Sequence, residues 1–138
     1  MNHCTHKNCP LRRNFLRTDN FKSHTTKRTY KKWHVGNCTT KNVVYMLTCT
    51  LCGKQYVGQT KRELKVRIGE HLYNIKKHHD TPVAQHFNHT NHSADNLRCE
   101  IIEALKTDPE DSDSRISRET HWIHQLQTLH PNGMNVRD

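Results

Sequence analysis

Two cysteines three positions apart, Cys49 and Cys52, with Gly53 directly after them, stand between two runs of β-forming residues, and nothing else in the chain constrains its fold as strongly. Asn42-Val43-Val44-Tyr45-Met46-Leu47-Thr48-Cys49 reads as one strand, Thr50-Leu51-Cys52-Gly53-Lys54 as a turn, and Gln55-Tyr56-Val57-Gly58 as a second strand returning beside the first. A Cys-x2-Cys turn has the knuckle spacing that lets two thiolates approach one tetrahedral ion. The rest of the chain makes a metal welcome. Only 32% of its 138 residues are hydrophobic, whereas it holds six cysteines and thirteen histidines, and small cores commonly need a metal or disulfides to be stable.

No run approaches the roughly 20 apolar residues of a membrane helix, and the first residues lack the apolar stretch of a secretory signal. The expectation is a soluble intracellular protein with no membrane partner. In a reducing compartment closely spaced cysteines serve metals more often than disulfides, so zinc is the reading for Cys49 and Cys52. Their expected partners are His86 and His92, with His89 able to replace either. Such a site is filled by protein on all sides and is therefore structural. The plain alternative is two buried thiols beside a polar loop. Cys4-x4-Cys9 with Cys38, completed by His24, His34 or another histidine of the N-terminal arm, could form a second zinc site, though thiols in a flexible tail would look the same. Cys99, alone in a strand-like run, reads as a core residue.

Beyond the hairpin, Leu64, Ile68, Leu72 and Ile75 fall on one stripe at helical period, and Thr60-x2-Glu63 has the spacing of a capping box. A helix from about Lys61 to Lys77 is expected. Thr81-Pro82 looks like a cap and first-turn proline for a short helix, Val83 to Phe87. Leu97 to Glu103 reads as a third strand, Lys106 to Asp113 as a loop, and Ser114 to Leu126 as a helix with Ile116, Ile123 and Leu126 on its apolar side. This order predicts a small α/β domain over 42–138, with a three-stranded, mainly antiparallel sheet flanked by helices. Residues 1–41 form a basic extension containing Cys and His.

The net charge of +9 is concentrated in that extension, because residues 1–42 carry ten Lys/Arg against one acid and the remainder balances twelve against twelve. A basic arm on a neutral body suits a polyphosphate partner, since each neutralised phosphate releases counterions; a solvated tail has the same composition. Candidate DNA contacts are Arg12, Arg13, Lys31 and Lys32 on the arm, and Lys54, Lys61, Arg62 and Lys65 on the hairpin and first helix.

Several polar residues suggest phosphate chemistry. Tyr45 and Tyr56 lie on the paired strands of one hairpin, so both phenols can face one site. Arg67 and His71, four apart on a helix, project side by side, a guanidinium fork beside a proton-transfer group. Glu119 stands at helical spacing between Ile116 and Ile123, and a carboxylate on an apolar stripe is costly unless a cation or donor meets it. Singly, each has a plainer role: packing for the tyrosines, a solvated helix face for Arg67, a local pair with Arg115 for Glu119.

Together they carry a resemblance. Val43-Val44-Tyr45 followed by Tyr56-Val57-Gly58 resembles the two halves of the GIY-YIG nuclease motif, with Val43 in place of the first glycine. Within that superfamily the chain is most similar to the endonuclease domain of Penelope-like retroelements, through Cys49 and Cys52 between the motif halves, Asp80 to Phe87, and Leu129 to Asn135. The likeness covers about residues 37–136. It implies catalytic roles for Tyr45, Tyr56, Arg67, His71, Glu119 and Asn135. It further implies that Glu119 binds one Mg²⁺ or Mn²⁺, that Arg67 balances transition-state charge, and that Tyr56, helped by Tyr45 or His71, prepares the attacking water. The implied activity is metal-dependent nicking of DNA that leaves a 3′-hydroxyl, in the nucleus, for target-primed reverse transcription, with a reverse transcriptase domain of the same polyprotein as partner. Rival readings are a non-catalytic zinc-dependent nucleic-acid-binding module, a domesticated element acting through protein contacts, and a structure-specific DNA repair nuclease.

Overall fold

The computed structural model describes residue 4, residues 8–33 and residues 36–136. Its elements run β1 (Asn20–Lys22), β2 (Thr29–Lys31), β3 (Val43–Cys49), β4 (Gln55–Thr60), α1 (Leu64–Lys76), α2 (Pro82–Phe87), a 3-10 turn (Ala94–Asn96), β5 (Leu97–Ala104) and α3 (Ser112–Leu126). β3 lies at the centre of an antiparallel sheet ordered β4-β3-β5. Its position explains its sequence. Val43, Val44, Tyr45, Met46, Leu47 and Cys49 are all buried, because both faces of the central strand are covered. Tyr45 and Leu47 join the larger core with Leu64, Ile68 and Ile75 of α1 and with α2. Val44 and Met46 point the other way, to Val57, Ile102 and α3's Ile123 and Leu126. The sheet is thus a layer between α1 and α2 on one side and α3 on the other.

Thr81 caps α2 by accepting from the Ala84 backbone N–H, with Pro82 in the first turn, as the sequence suggests. α1 begins differently. Thr60 is still paired in β4 opposite Val43, and its hydroxyl accepts from the Arg62 N–H, so the expected capping box does not form. α3 starts two residues earlier than the apolar pattern indicates, capped by the Asp111 carboxylate on the Ser114 N–H. Its buried side also differs from expectation. Ile116 is exposed, and Arg115 is buried in its place, donating to Gln59, Asn42 and the Pro109 carbonyl. A guanidinium at such a position is tolerable because its hydrogen-bonding capacity is met by neutral acceptors.

The basic arm is docked on the body. Leu11 and Phe15 belong to the main core, and the chain around Phe15 runs parallel to β5, with Leu16 N–H on the Cys99 carbonyl at 2.8 Å and Cys99 N–H on the Asn14 carbonyl at 2.7 Å. The β1–β2 hairpin, not anticipated from sequence, attaches through an aromatic triad in which Phe21, Tyr30 and α3's Trp122 have ring centroids 5.2–5.4 Å apart. Lys32 meets Glu100 of β5 at 2.9 Å, both side chains 7% exposed. Lys32 is therefore removed from the candidate DNA contacts: its charge is spent on a buried carboxylate. Among the described residues no helix is long and apolar enough to cross a membrane.

Candidate active site

The hairpin register sets the two phenols. Tyr45 pairs with Gly58, and Leu47, on the same face two residues along, pairs with Tyr56. Tyr45 and Tyr56 are therefore diagonal neighbours on the α1 side of the sheet, a separation that aromatic rings can span. Gly58 makes this possible, because a Cβ there would collide with the phenolic oxygen and Cζ of Tyr45. Gly58 is a functional residue that sequence reasoning used only as a motif letter; its register opposite Tyr45 was the available signal.

α1 then lays His71 between the two rings, its centroid 5.8 Å from Tyr45 and 5.6 Å from Tyr56, both edge-on. His71 Nε2 and the Tyr45 hydroxyl are 2.7 Å apart. Burial, followed by the nearby Arg67 charge, lowers the His71 pKa to about 3. The imidazole is thus neutral near pH 7 and shares one hydrogen bond with the buried phenol. Burial also pushes the Tyr45 phenol far above its usual range, and Tyr56 upward, while Arg67 pulls against the rise in each. Tyr45 is fully buried and Tyr56 half-buried. Of the two phenols, Tyr56 is the one able to touch a substrate.

One turn before His71, Arg67 reaches the same phenols and is steadied by Glu70, whose carboxylate accepts from Arg67 at 3.0 Å and from Arg62 at 2.6 Å. Sequence reasoning missed Glu70, although its spacing three residues after Arg67 placed it within reach. Glu119 completes the group. It comes from α3, which packs mainly on the edge strand β4, and its charge raises both phenols while Arg67 opposes its own upward shift. The carboxylate lies in the field of Arg67 and Arg115 yet makes no hydrogen bond or ion pair among the described residues, so its oxygens are available to a cation. Tyr45, Tyr56, Arg67, His71 and Glu119, scattered over 75 positions of sequence, share one electrostatic environment.

Asn135 bonds to the neighbouring strand and to Thr128. Its Oδ1 accepts from the Val57 N–H at 2.9 Å and the Thr128 hydroxyl at 2.6 Å, and its Nδ2 donates to the Val57 carbonyl at 3.0 Å. These bonds give Asn135 a task in the fold, since this buried amide occupies the outer edge of β4 beside Tyr56.

Cys49, Cys52, His86 and His92 bring four ligand atoms within 4.8 Å of one another, joining the hairpin tip to α2 and the loop after it. Gly53, at φ +85°, closes the knuckle with its N–H on the Cys49 carbonyl at 2.8 Å. His92 Nδ1 lies 3.1 Å from the Thr90 carbonyl, and its Nε2 is buried. His92 also interacts with the Cys52 thiol, and an imidazole held by a backbone carbonyl beside a thiol is placed as a metal ligand would be. Burial raises the Cys52 thiol, but His92 and the Lys54 backbone outweigh it and hold it low, whereas burial lowers His86 to about 4. These two shifts favour the metal-binding forms of Cys52 and His86, whereas burial raises Cys49 and the bond to Cys52 raises His92. His89 lies outside this set.

Cys4, Cys9 and Cys38 form a second group within 4.8 Å. Backbone N–H groups of Cys38 and Leu11 point at the sulfurs of Cys4 and Cys9, at 3.2 and 3.3 Å. The expectation for His24 is corrected: it sits at the β3–β4 turn against Gly53, so a Cβ at residue 53 would strike its ring, and it is held there by its N–H on Gln55 Oε1. His34 lies outside the described residues. Of the candidate DNA contacts, Arg12, Arg13, Lys31, Lys61 and Arg62 are exposed and Lys54 and Lys65 half-buried. Arg62 also meets Glu70, Lys61 meets Glu110, and Lys31 lies over the exposed Trp33 ring.

A guanidinium, phenols with a neutral imidazole, and an uncompensated carboxylate, gathered on one layered sheet, form a class of site suited to the cleavage of phosphate diesters. The sequence model described as the GIY-YIG catalytic domain matches residues 41–135, and the chain belongs to that family. Two solved structures are similar to it. The catalytic domain of the homing endonuclease I-TevI is 30% identical, with a TM-score of 0.54 over 71% of this chain and all of that one. A mutant of the catalytic domain of the intron endonuclease I-TevI is 29% identical, with a TM-score of 0.56 over 72% of this chain and 96% of that one. A comparison with curated proteins found no match.

Proposed function

We propose that the chain nicks DNA by metal-assisted hydrolysis, leaving a 3′-hydroxyl and a 5′-phosphate. The convergence of Glu119 with Tyr56 and Arg67, from opposite ends of the domain, carries this reading. Glu119 would hold one Mg²⁺ or Mn²⁺, which when bound supplies Lewis-acid stabilisation to the phosphate and the leaving oxygen. Arg67, held by Glu70, places its guanidinium on the phosphate and offsets the charge that grows there. Tyr56 orients a water in line with phosphorus. A P–O bond forms to that water as the P–O3′ bond breaks, the departing 3′-oxygen gains a proton from solvent, and the proton released by the water passes by way of the Tyr56 phenol to solvent, the buried Tyr45–His71 pair fixing the surroundings of that phenol. Asn135 holds β4, and so Tyr56, in register.

Zinc at Cys49, Cys52, His86 and His92 is read as structural, supported by the gathering of their four ligand atoms within 4.8 Å of one another. A second zinc on Cys4, Cys9 and Cys38 would help hold the arm (residues 1–41) to the nuclease domain (42–138). The retroelement setting, a nuclear location and a reverse transcriptase partner rest on the likeness of the hairpin cysteines, Asp80 to Phe87 and Leu129 to Asn135 to Penelope-like endonucleases. Supercoiled plasmid with Mg²⁺ tests the activity. Conversion to open circles is expected, with about 10²-fold or greater loss in Arg67→Ala and Glu119→Ala; undiminished nicking by either variant overturns the assignment.

A further inference from the structure

α1 carries a glycine where a helix gains nothing from one. Gly69 stands mid-helix and exposed, and a Cβ added to it would meet nothing within 4 Å. Packing therefore does not explain it, although glycine weakens a helix relative to alanine. Open space over Gly69 leaves the helix backbone bare there, so a partner can approach it more closely than it could past any side chain.

The surroundings of Gly69 indicate which partner. Val66, Arg67, Gly69, Glu70, Tyr73 and Asn74 line a shallow recess of about 530 Å³. Val66 and Tyr73, two turns apart, leave 41% and 55% of their surface in water. Arg67 is shared with the active site, so the recess and the catalytic group are continuous. Arg62, Lys76 and Lys77 are exposed on or beside the same helix, and Glu70, the acid within the recess, is already covered by Arg62 and Arg67.

We propose that this recess seats the sugar-phosphate strand next to the scissile phosphate, with a deoxyribose lying on Gly69 between Val66 and Tyr73. The inference rests on the endonuclease reading and deepens it. Val66 and Tyr73 offer apolar surface to the carbon faces of the sugar, and the missing side chain lets the ring approach the helix backbone. Lys77, 5.9 Å from the Tyr73 ring centroid, stands where the following phosphate would pass. Contacts of this kind reach sugar and phosphate and no base edge, so the recess fixes register without reading sequence.

The test is a graded series, Gly69→Ala, Gly69→Leu and Gly69→Trp, with Tyr73→Ala, in the full chain. Fluorescence anisotropy of a labelled DNA duplex without Mg²⁺ reports Kd, plasmid nicking with Mg²⁺ reports kcat, and thermal melting reports the fold. Gly69→Ala is expected to raise Tm while weakening duplex binding. Gly69→Trp should weaken it about tenfold or more, equivalent to about 1.4 kcal/mol. Tyr73→Ala should weaken binding with its fold intact. Duplex affinity of Gly69→Trp within twofold of the parent overturns the proposal, as does a loss of self-association in place of DNA affinity. A parent that binds duplex but never nicks, with affinity still lost in Gly69→Trp, refutes the endonuclease reading and supports the strand seat.

Discussion

Asn135→Ala tests the role of the C-terminal segment most directly. Asn135 makes three hydrogen bonds, two to the Val57 backbone and one to Thr128, and its side chain is buried. Each such bond contributes about 1 kcal/mol, and a buried group left unpaired costs about 1–3 kcal/mol. Alanine removes all three bonds and strands the Val57 N–H at the edge of the sheet, so a loss of about 3–4 kcal/mol is expected. For a chain of 138 residues this corresponds to a Tm lower by about 10 °C. Thr128→Val should cost about 1 kcal/mol alone and almost nothing in the Asn135→Ala background, because the two substitutions remove the same bond. Denaturant melts read by circular dichroism give these values. Nicking well below the transition should fall about 10-fold or more, since Tyr56 precedes Val57 and small misplacements are costly to catalysis. Full stability combined with lost activity would refute the reasoning, because it would place Asn135 on the substrate and not on the strand.

The zinc reading predicts bound zinc by elemental analysis of the purified protein, and a Tm that falls by about 10 °C or more in Cys49→Ser, because binding free energy at such a site is folding free energy; a zinc-free protein with an unchanged melt rules it out. The pH profile follows from Glu119, whose carboxyl burial pushes above the ordinary 4.5 against the pull of Arg67 and Arg115. A cation binds the ionised form, so nicking at fixed Mg²⁺ should fall as pH drops through a point above 4.5, and more Mg²⁺ should move that point toward acid. Without metal the sign for stability is opposite to that of a paired carboxylate: folding disfavours the charged form, so stability falls as pH rises from 4.5 through the raised value, and Glu119→Gln should melt higher than the parent at pH 7. His71, already neutral above about 3, should contribute no step near 6.5; a step there that vanishes in His71→Gln would contradict its buried state.

The parts of the fold legible in sequence are those set by local pattern. The hairpin could be read because its turn carries Gly53 and its strands alternate toward two cores, α2 because Thr81 and Pro82 announce its start, and α1 because Leu64, Ile68 and Ile75 recur at helical period. Errors arose where a distant partner decides. Thr60 is held in β4 by Val43, so it does not cap the next helix. Arg115 is buried because Asn42, Gln59 and Pro109 gather around it from three other segments, and Ile116 is displaced to the surface as a result. Lys32 and His24 looked like surface and ligand residues, and contacts with Glu100 and Gly53 settle both. β1 and β2, three residues each, are too short to show a period and exist because Phe21 and Tyr30 pack on Trp122. In the site, Tyr45, Tyr56, Arg67, His71 and Glu119 could be named together because each is an unusual polar choice for its element, while Glu70 and Gly58, which act by holding and by making room, showed only as a spacing of three after Arg67 and a register opposite Tyr45.

The catalytic group depends on register more than on any single contact. Tyr45 and Tyr56 meet only if β3 and β4 pair as they do, since a slip of one residue sends one ring to the α3 side. β4 is an edge strand of six residues and would be free to slip if only its ladder to β3 held it. Three devices prevent this. Cys49 and Cys52 pin the turn to α2 when a metal joins them to His86 and His92. Asn135 clamps Val57 from the open side. Gly58 admits the Tyr45 ring at one rung only, because Val57 and Gln59 on either side carry side chains. An endonuclease with so small a core thus secures its geometry by fixing one hairpin at its tip, edge and centre, and variants at any of the three should lose activity through Tyr56 before they lose the fold.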